Sequence, residues 1–231
     1  MNALSPSSQR RLWLACALAI LSPAALPAQS PDSGSAFVTT ATVVRGNGTV
    51  AVVSEPAERF AAARVALARH HTSQAAADIR EAATFVRGQA SVARGTVRAD
   101  LDDAARDLDR IAAQVRNGKL KTPRELDAAL RRSDRGLARH HLARATHAWE
   151  RRESATAGHE LRLAAQYTER LARDAGRDVE RGTLDVVRGT REIGANLVDG
   201  VGWTSDEVGK AFQQLGHEID RLGADIGPRR R

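Results

Sequence analysis

Cysteine is all but missing: Cys16 stands alone among 231 residues. One thiol closes no intrachain disulfide, so a disulfide-stapled fold is excluded and stability has to come from a packed core. Aromatic residues are nearly as scarce, at 3%. That excludes a stacking platform for nucleic-acid bases and an aromatic cage for a cationic ligand. Long apolar runs are absent too. The longest, LWLACALAIL at residues 12–21, falls well short of the ~20 residues that span a bilayer. Catalytic patterns are also lacking: there is no nucleophile elbow, no glycine-rich phosphate loop after a strand, and no His-x3-His pair. The chain is therefore expected not to be an enzyme, and to hold no cofactor and no metal.

The N-terminus reads Arg10-Arg11, then the apolar run, then SPAALPAQS. That order matches a secretory signal peptide, with cleavage expected near Ala28 and export to the periplasm or beyond. Cleavage removes Cys16. It also lowers the net charge from +7 to +5, because Arg10 and Arg11 leave with it. Residues 29–35, QSPDSGS, read as a disordered linker. Residues 36–55 are rich in Val and Thr and broken by Gly46-Asn47-Gly48, which predicts a short β-hairpin.

From residue 56 the pattern turns helical. Val97, Leu101, Ala104, Leu108, Ile111 and Val115 step by four and three, one buried seam of an amphipathic helix, and Asn117-Gly118 predicts its end. Thr122-Pro123-Arg124-Glu125 predicts the next start, with a first-turn proline and a capping box, for a helix running to about Arg152. A second box, Thr204 to Glu207, opens a last helix with the seam Val208, Phe212, Leu215, Ile219, Leu222 and Ile226. Gly202, Gly209, Gly216 and Gly223 recur every seven residues, as do Gly182 and Gly189. They predict either close approach of another helix or a tail that orders only on docking, the first being favoured.

The chain also repeats itself. Residues 60–87 lie over 142–169 at a constant offset of 82, matching alanines, Asp78 with Glu160, Ile79 with Leu161 and Phe85 with Tyr167. This predicts two helical hairpins turning near Thr72 and Ser154. Ala75, Ile79 and Ala82, like Ala157, Leu161 and Ala164, resemble the second helix of a tetratricopeptide hairpin. The segment ARVALARHHTSQAAADIREA resembles the opening hairpin of the YfdX family of secreted bacterial helical proteins, over residues 58–87 and more loosely 140–169. That resemblance implies a periplasmic helical bundle connected with envelope stress. The expected architecture is an all-α antiparallel bundle of about five helices over 56–227, with two TPR-like hairpins, a β-hairpin before it and a basic tail at 228–231.

The motif ARHH occurs at residues 68–71 and again at 138–141. Adjacent helical residues point ~100° apart and do not converge on one metal ion, so both pairs are expected as solvated turn and helix residues. One region departs from neutrality: residues 119–152 hold ten basic and four acidic residues, against six and ten in residues 177–227. Arg124, Arg131, Arg135 and Arg139 form one stripe, and His140, Arg144, His147 and Arg151 a second. These eight are the candidate anion-binding residues, facing anionic lipid or lipopolysaccharide; nucleic acid is disfavoured by export and by the few aromatics. The competing reading, favoured here, pairs the basic helix internally with the acidic C-terminal third. The leading expectation is a non-catalytic scaffold that meets a protein partner or itself through helix faces.

Overall fold

The computed structural model describes residues 42–46, 49–53, 55–120, 122–174, 181–224 and 226. The expected leader, linker, hairpin-turn residues Asn47-Gly48 and basic tail lie outside them. Two strands, β1 (Thr42–Gly46) and β2 (Thr49–Val53), pair antiparallel with Thr42 opposite Val53 and Gly46 opposite Thr49. Seven α-helices follow among the described residues, not five: α1 (Glu55–Ala68), α2 (Thr72–Val92), α3 (Gly95–Arg116), α4 (Pro123–Glu150), α5 (Ser154–Asp174), α6 (Arg181–Asp199) and α7 (Ser205–Ala224). Each packs on its neighbour in the chain, and α4 also meets α2 and α7 while α5 meets α7. The fold is an all-α bundle with a main core reaching from Phe60 to Ile219 and a small second cluster of Leu171, Ala172, Leu222 and Ile226. No helix among the described residues is long and apolar enough to cross a membrane.

The core is built largely from alanine, with Leu and Ile as its larger members. Small residues let helix axes come close together, and long uninterrupted helices follow from alanine's high propensity. The two longest apolar seams are buried at all but one position each, Val97 and Phe212 being only half-buried. Leu101, Ala104, Leu108, Ile111 and Val115 are buried along α3, and Val208, Leu215, Ile219, Leu222 and Ile226 along α7 and just past it. Helix α3 ends in a Schellman motif: Lys119 N donates to Gln114 O (2.8 Å), Gly118 N to Val115 O (3.1 Å), and Gly118 takes φ +64°. Helix α7 opens in a reciprocal capping box, Thr204 N donating to Glu207 Oε2 (2.8 Å) and Glu207 N to Thr204 Oγ1 (3.3 Å). At α4, by contrast, Pro123 takes the first turn but Thr122 makes no side-chain cap, so the expected box there is not formed.

The 82-residue repeat is visible in the backbone. His71 N donates to Ala66 O (2.8 Å) and His70 N to Leu67 O (3.0 Å); 82 residues on, Glu153 N donates to Ala148 O (2.9 Å) and Arg152 N to Trp149 O (2.9 Å). Both turns place a non-glycine residue in the left-handed region, His70 at φ +60° and Arg152 at φ +62°. Ala63, Ala75, Ile79 and Ala82 are buried in the first copy, and Ala145, Ala157, Leu161 and Ala164 in the second.

The glycines divide differently from the expected heptad. Nothing lies within 4 Å of where a Cβ would stand on Gly182, Gly189 or Gly209. Gly202 sits in a turn at φ +70°, and Gly216 meets only an ordinary contact with Leu142 at 3.5 Å. Gly223 alone is closely covered, by the Arg135 side chain. The tight helix crossing is elsewhere, between α5 and α6. A Cβ on Gly158 would collide with the Gly194 carbonyl and come to 2.9 Å from Leu197 Cβ, and one on Gly194 would lie 3.0 Å from the Gly158 carbonyl. Helices α2 and α4 run unbroken through Gly88 and Gly136, whereas Gly95, at φ +57°, begins α3.

Candidate functional site

The basic helix α4 lies at the centre of the bundle, and its two stripes have separate fates. On the first, Arg139 reaches Asp100 of α3 at 3.0 Å, and Arg135 and Arg139 each lie 3.6 Å from Asp220 of α7. Arg132, beside that stripe, holds Asp107 at 2.7 Å. Arg131 is half-buried and its Nε has no hydrogen-bond partner. Arg124 is exposed at the start of the helix. The charges of Arg135 and Arg139 are thus answered within the bundle, partly by the acidic C-terminal third.

The second stripe converges. His140, Arg144, His147 and Arg151 share a cleft of about 450 Å³ with Val92, Ala93, Arg94 and Val97 at the α2–α3 junction, Ala143 and Ala148 of α4, Glu153 in the α4–α5 turn, and Thr156 and Glu160 of α5. His140 is 2% exposed and His141 5% exposed. The expectation of solvated histidines is therefore overturned for the second ARHH pair. It holds for His70 and His71, which are exposed at the α1–α2 turn. The physical reason is register: His141 follows Leu137 by four, and Ala145 and Ala148 continue the steps, so it lies on the buried seam of α4.

A polar chain runs behind the cleft. His141 Nδ1 lies 2.7 Å from Glu160 Oε2; a carboxylate only accepts, so this nitrogen carries the hydrogen. Arg144 Nη2 meets the other oxygen, Oε1, at 2.7 Å. Burial pushes the Glu160 carboxyl up, but His141 and Arg144 outweigh it and hold the group below its ordinary value. The His141 ring stacks on Tyr167 at 5.3 Å with an interplanar angle of 5°, and Arg170 covers Tyr167 at 4.3 Å. Arg170 Nη2 in turn donates to Asp134 Oδ1 at 2.6 Å. Burial dominates at Asp134 and lifts its carboxyl to about 6 despite Arg170.

His140 differs from its neighbour. Its Nε2 is buried with no hydrogen-bond partner, and its ring meets His141 edge to face at 5.2 Å. Burial, then the nearby His141 and Arg144, lower its pKa to about 4 against the pull of Glu160, so it is a neutral imidazole at pH 7. No group of three or more His, Cys, Asp or Glu side chains among the described residues is arranged to hold a metal ion. Comparison with protein-family models, with curated proteins and with solved structures returns no match to the chain.

The polar chain between α4 and α5 was missed at the level of sequence, yet a signal for it exists. Extended by one residue, the repeat sets Arg59 over His141, and Asp78 already lies over Glu160. In the first copy Arg59 pairs with Asp78 at 3.7 Å, and in the second His141 pairs with Glu160 at 2.7 Å. A basic residue on the first helix and an acid on the second is the shared device.

Proposed function

We propose that the chain is a non-catalytic helical scaffold or interaction protein, exported to the periplasm or beyond by the pattern in residues 1–28 and connected with the envelope as its YfdX-like hairpin implies. The observation that carries the reading is the central place of α4, whose Arg132, Arg135 and Arg139 are engaged by Asp107, Asp100 and Asp220 of the helices around it. A helix that meets anionic lipid through its whole length keeps such arginines turned to solvent; here several of them tie the bundle together. The two hairpins, with alanine buried at Ala63 and Ala145 where the helices cross, are read as TPR-like in packing, with a β-hairpin before them and a protein partner or a second copy as the intended contact. The rival reading is an anionic-surface binder working through residues 119–152.

Co-sedimentation of the chain from Gln29 onward with phosphatidylglycerol and phosphatidylcholine vesicles, at low and high salt, separates the two. The scaffold reading expects no pelleting with either lipid. Pelleting that is specific to the anionic vesicles and lost at high salt overturns it in favour of the surface binder. Export is tested separately by fractionation and N-terminal sequencing, with a first residue near Gln29 expected.

A further inference from the structure

The two copies of the repeat form an internal control. Several positions at the helix contacts are kept in kind: Arg59 and Asp78 answer His141 and Glu160, and Phe85 answers Tyr167. Other positions on the first helix differ between the copies, and three of those in the second copy stand together. Glu58, Ala62 and Val65 stand where the second copy has His140, Arg144 and His147. All three changes remove an acid or an apolar group and add an imidazole or a guanidinium, and all three fall on the cleft. The hairpin does not need them, since the first copy turns and packs without them.

We propose that this cleft binds a soluble amphipathic monoanion: a carboxylate, or a group of the same charge, on an apolar body of about 8–12 carbons, the size a cleft of this volume accommodates. The apolar body is provided for by Val92, Val97, Ala143 and Ala148. Val92 is 62% exposed, one of four large hydrophobics so displayed among the described residues, and a ligand in the cleft covers it. The charge is provided for by Arg94 and Arg144. Arg94 makes no ion pair or side-chain hydrogen bond among the described residues, and Arg144, 48% exposed at its side chain, uses one nitrogen on Glu160. Three arginines face two carboxylates in the cleft, and Glu153 and Glu160 are already held by Arg151 and by His141 with Arg144. An arriving anion therefore meets a residual positive charge. At the floor, His140 Nε2 is a buried polar atom with no partner, which costs free energy until a ligand group supplies one. A purely apolar occupant leaves both this nitrogen and Arg94 unanswered, and a bare inorganic anion leaves the apolar wall wet.

The inference stands apart from export and from the scaffold reading, since it concerns one cleft within the described bundle. Isothermal titration of the full chain with decanoate, decanol and inorganic phosphate tests it. Decanoate is expected to bind in the range of about 10⁻⁴–10⁻³ M, at least about tenfold more tightly than either comparison ligand. Arg94→Glu reverses an unpaired charge, and Ala143→Trp fills the cleft from an exposed position. Each is expected to keep the helical circular-dichroism spectrum and weaken decanoate by about tenfold or more. The proposal is overturned by no decanoate binding up to about 10 mM, by phosphate or decanol binding as well as decanoate, or by folded variants that bind like the original. Pelleting with phosphatidylglycerol vesicles that Ala143→Trp abolishes overturns the soluble ligand by placing the occupant in a bilayer.

Discussion

His140 offers the most direct test of the buried polar chain. Its imidazole falls from an ordinary 6.5 to about 4 in the folded protein. In the window between those values the unfolded chain takes up a proton that the folded chain refuses, so stability present above pH 6.5 is lost as pH falls toward 4. A displacement of that size corresponds to a loss of about 2 kcal/mol by pH 5 and about 3 kcal/mol by pH 4. The perturbation is His140→Gln, which keeps a polar side chain and removes the titration. Wild type and variant are unfolded in urea, followed by circular dichroism, at half-unit steps from pH 7.5 to 4. Groups that titrate alike in both proteins cancel in the difference. The variant starts with its own fixed offset, and wild type is expected to lose about 2–3 kcal/mol relative to it across the window. Parallel curves would refute the claim that His140 is buried and neutral, and with it the geometry of the floor of the cleft.

Asp134 gives the opposite slope in nearly the same window. Its carboxyl rises from 3.8 to about 6, so the folded state takes up the proton first, and wild type is expected to gain stability relative to Asp134→Asn as pH falls from about 6 to 4; the same urea series checks the sign. At the α5–α6 crossing, Gly158→Val places atoms against the Gly194 carbonyl and Leu197 and is expected to cost about 2–3 kcal/mol, a fall in Tm of roughly 5–10 °C, while Gly189→Val, over open space, stays near the ordinary helix-propensity difference; scanning calorimetry of both variants separates packing from propensity.

What could be read in advance follows from which residues sit on the seams. Helices α3 and α7 carry Leu, Ile and Val at four-three steps, so periodicity alone exposes them. The paired hairpins were legible because the repeat preserved Asp78 with Glu160 and Phe85 with Tyr167 as well as alanines. Helix α6 escaped because its buried line is Thr183, Val187, Thr190, Gly194 and Leu197. The steps are right, but three of the five residues do not register as apolar. Two of them serve contacts that only the fold reveals: Thr183 Oγ1 donates to Glu218 Oε1 at 2.6 Å, and Gly194 makes room for α5. The heptad glycines misled for the converse reason: a regular spacing says which face a residue occupies, not whether a neighbour lies above that face. The second basic stripe was legible as one face of α4, yet nothing in the spacing of His140, Arg144, His147 and Arg151 could show that the α2–α3 junction closes over it.

The substitution of histidine for arginine between the two copies has a physical cause in that closure. Helix α1 stands at one end of the helix order, and the Arg59 side chain is 42% exposed, able to keep its charge in water while holding Asp78 and Glu81. Helix α4 is surrounded by α2, α3, α5 and α7, and the equivalent side chain, His141, is 6% exposed. A permanent guanidinium at that depth carries a desolvation cost of several kcal/mol unless every donor is met. An imidazole is smaller, presents a single N–H to Glu160 and offers a flat face to Tyr167. Arg144 then answers the second Glu160 oxygen from the cleft side, where it keeps contact with solvent. With the repeat's basic position buried as an imidazole, the permanent cation beside Glu160 is Arg144, half-exposed at the cleft wall where an anionic ligand would meet it.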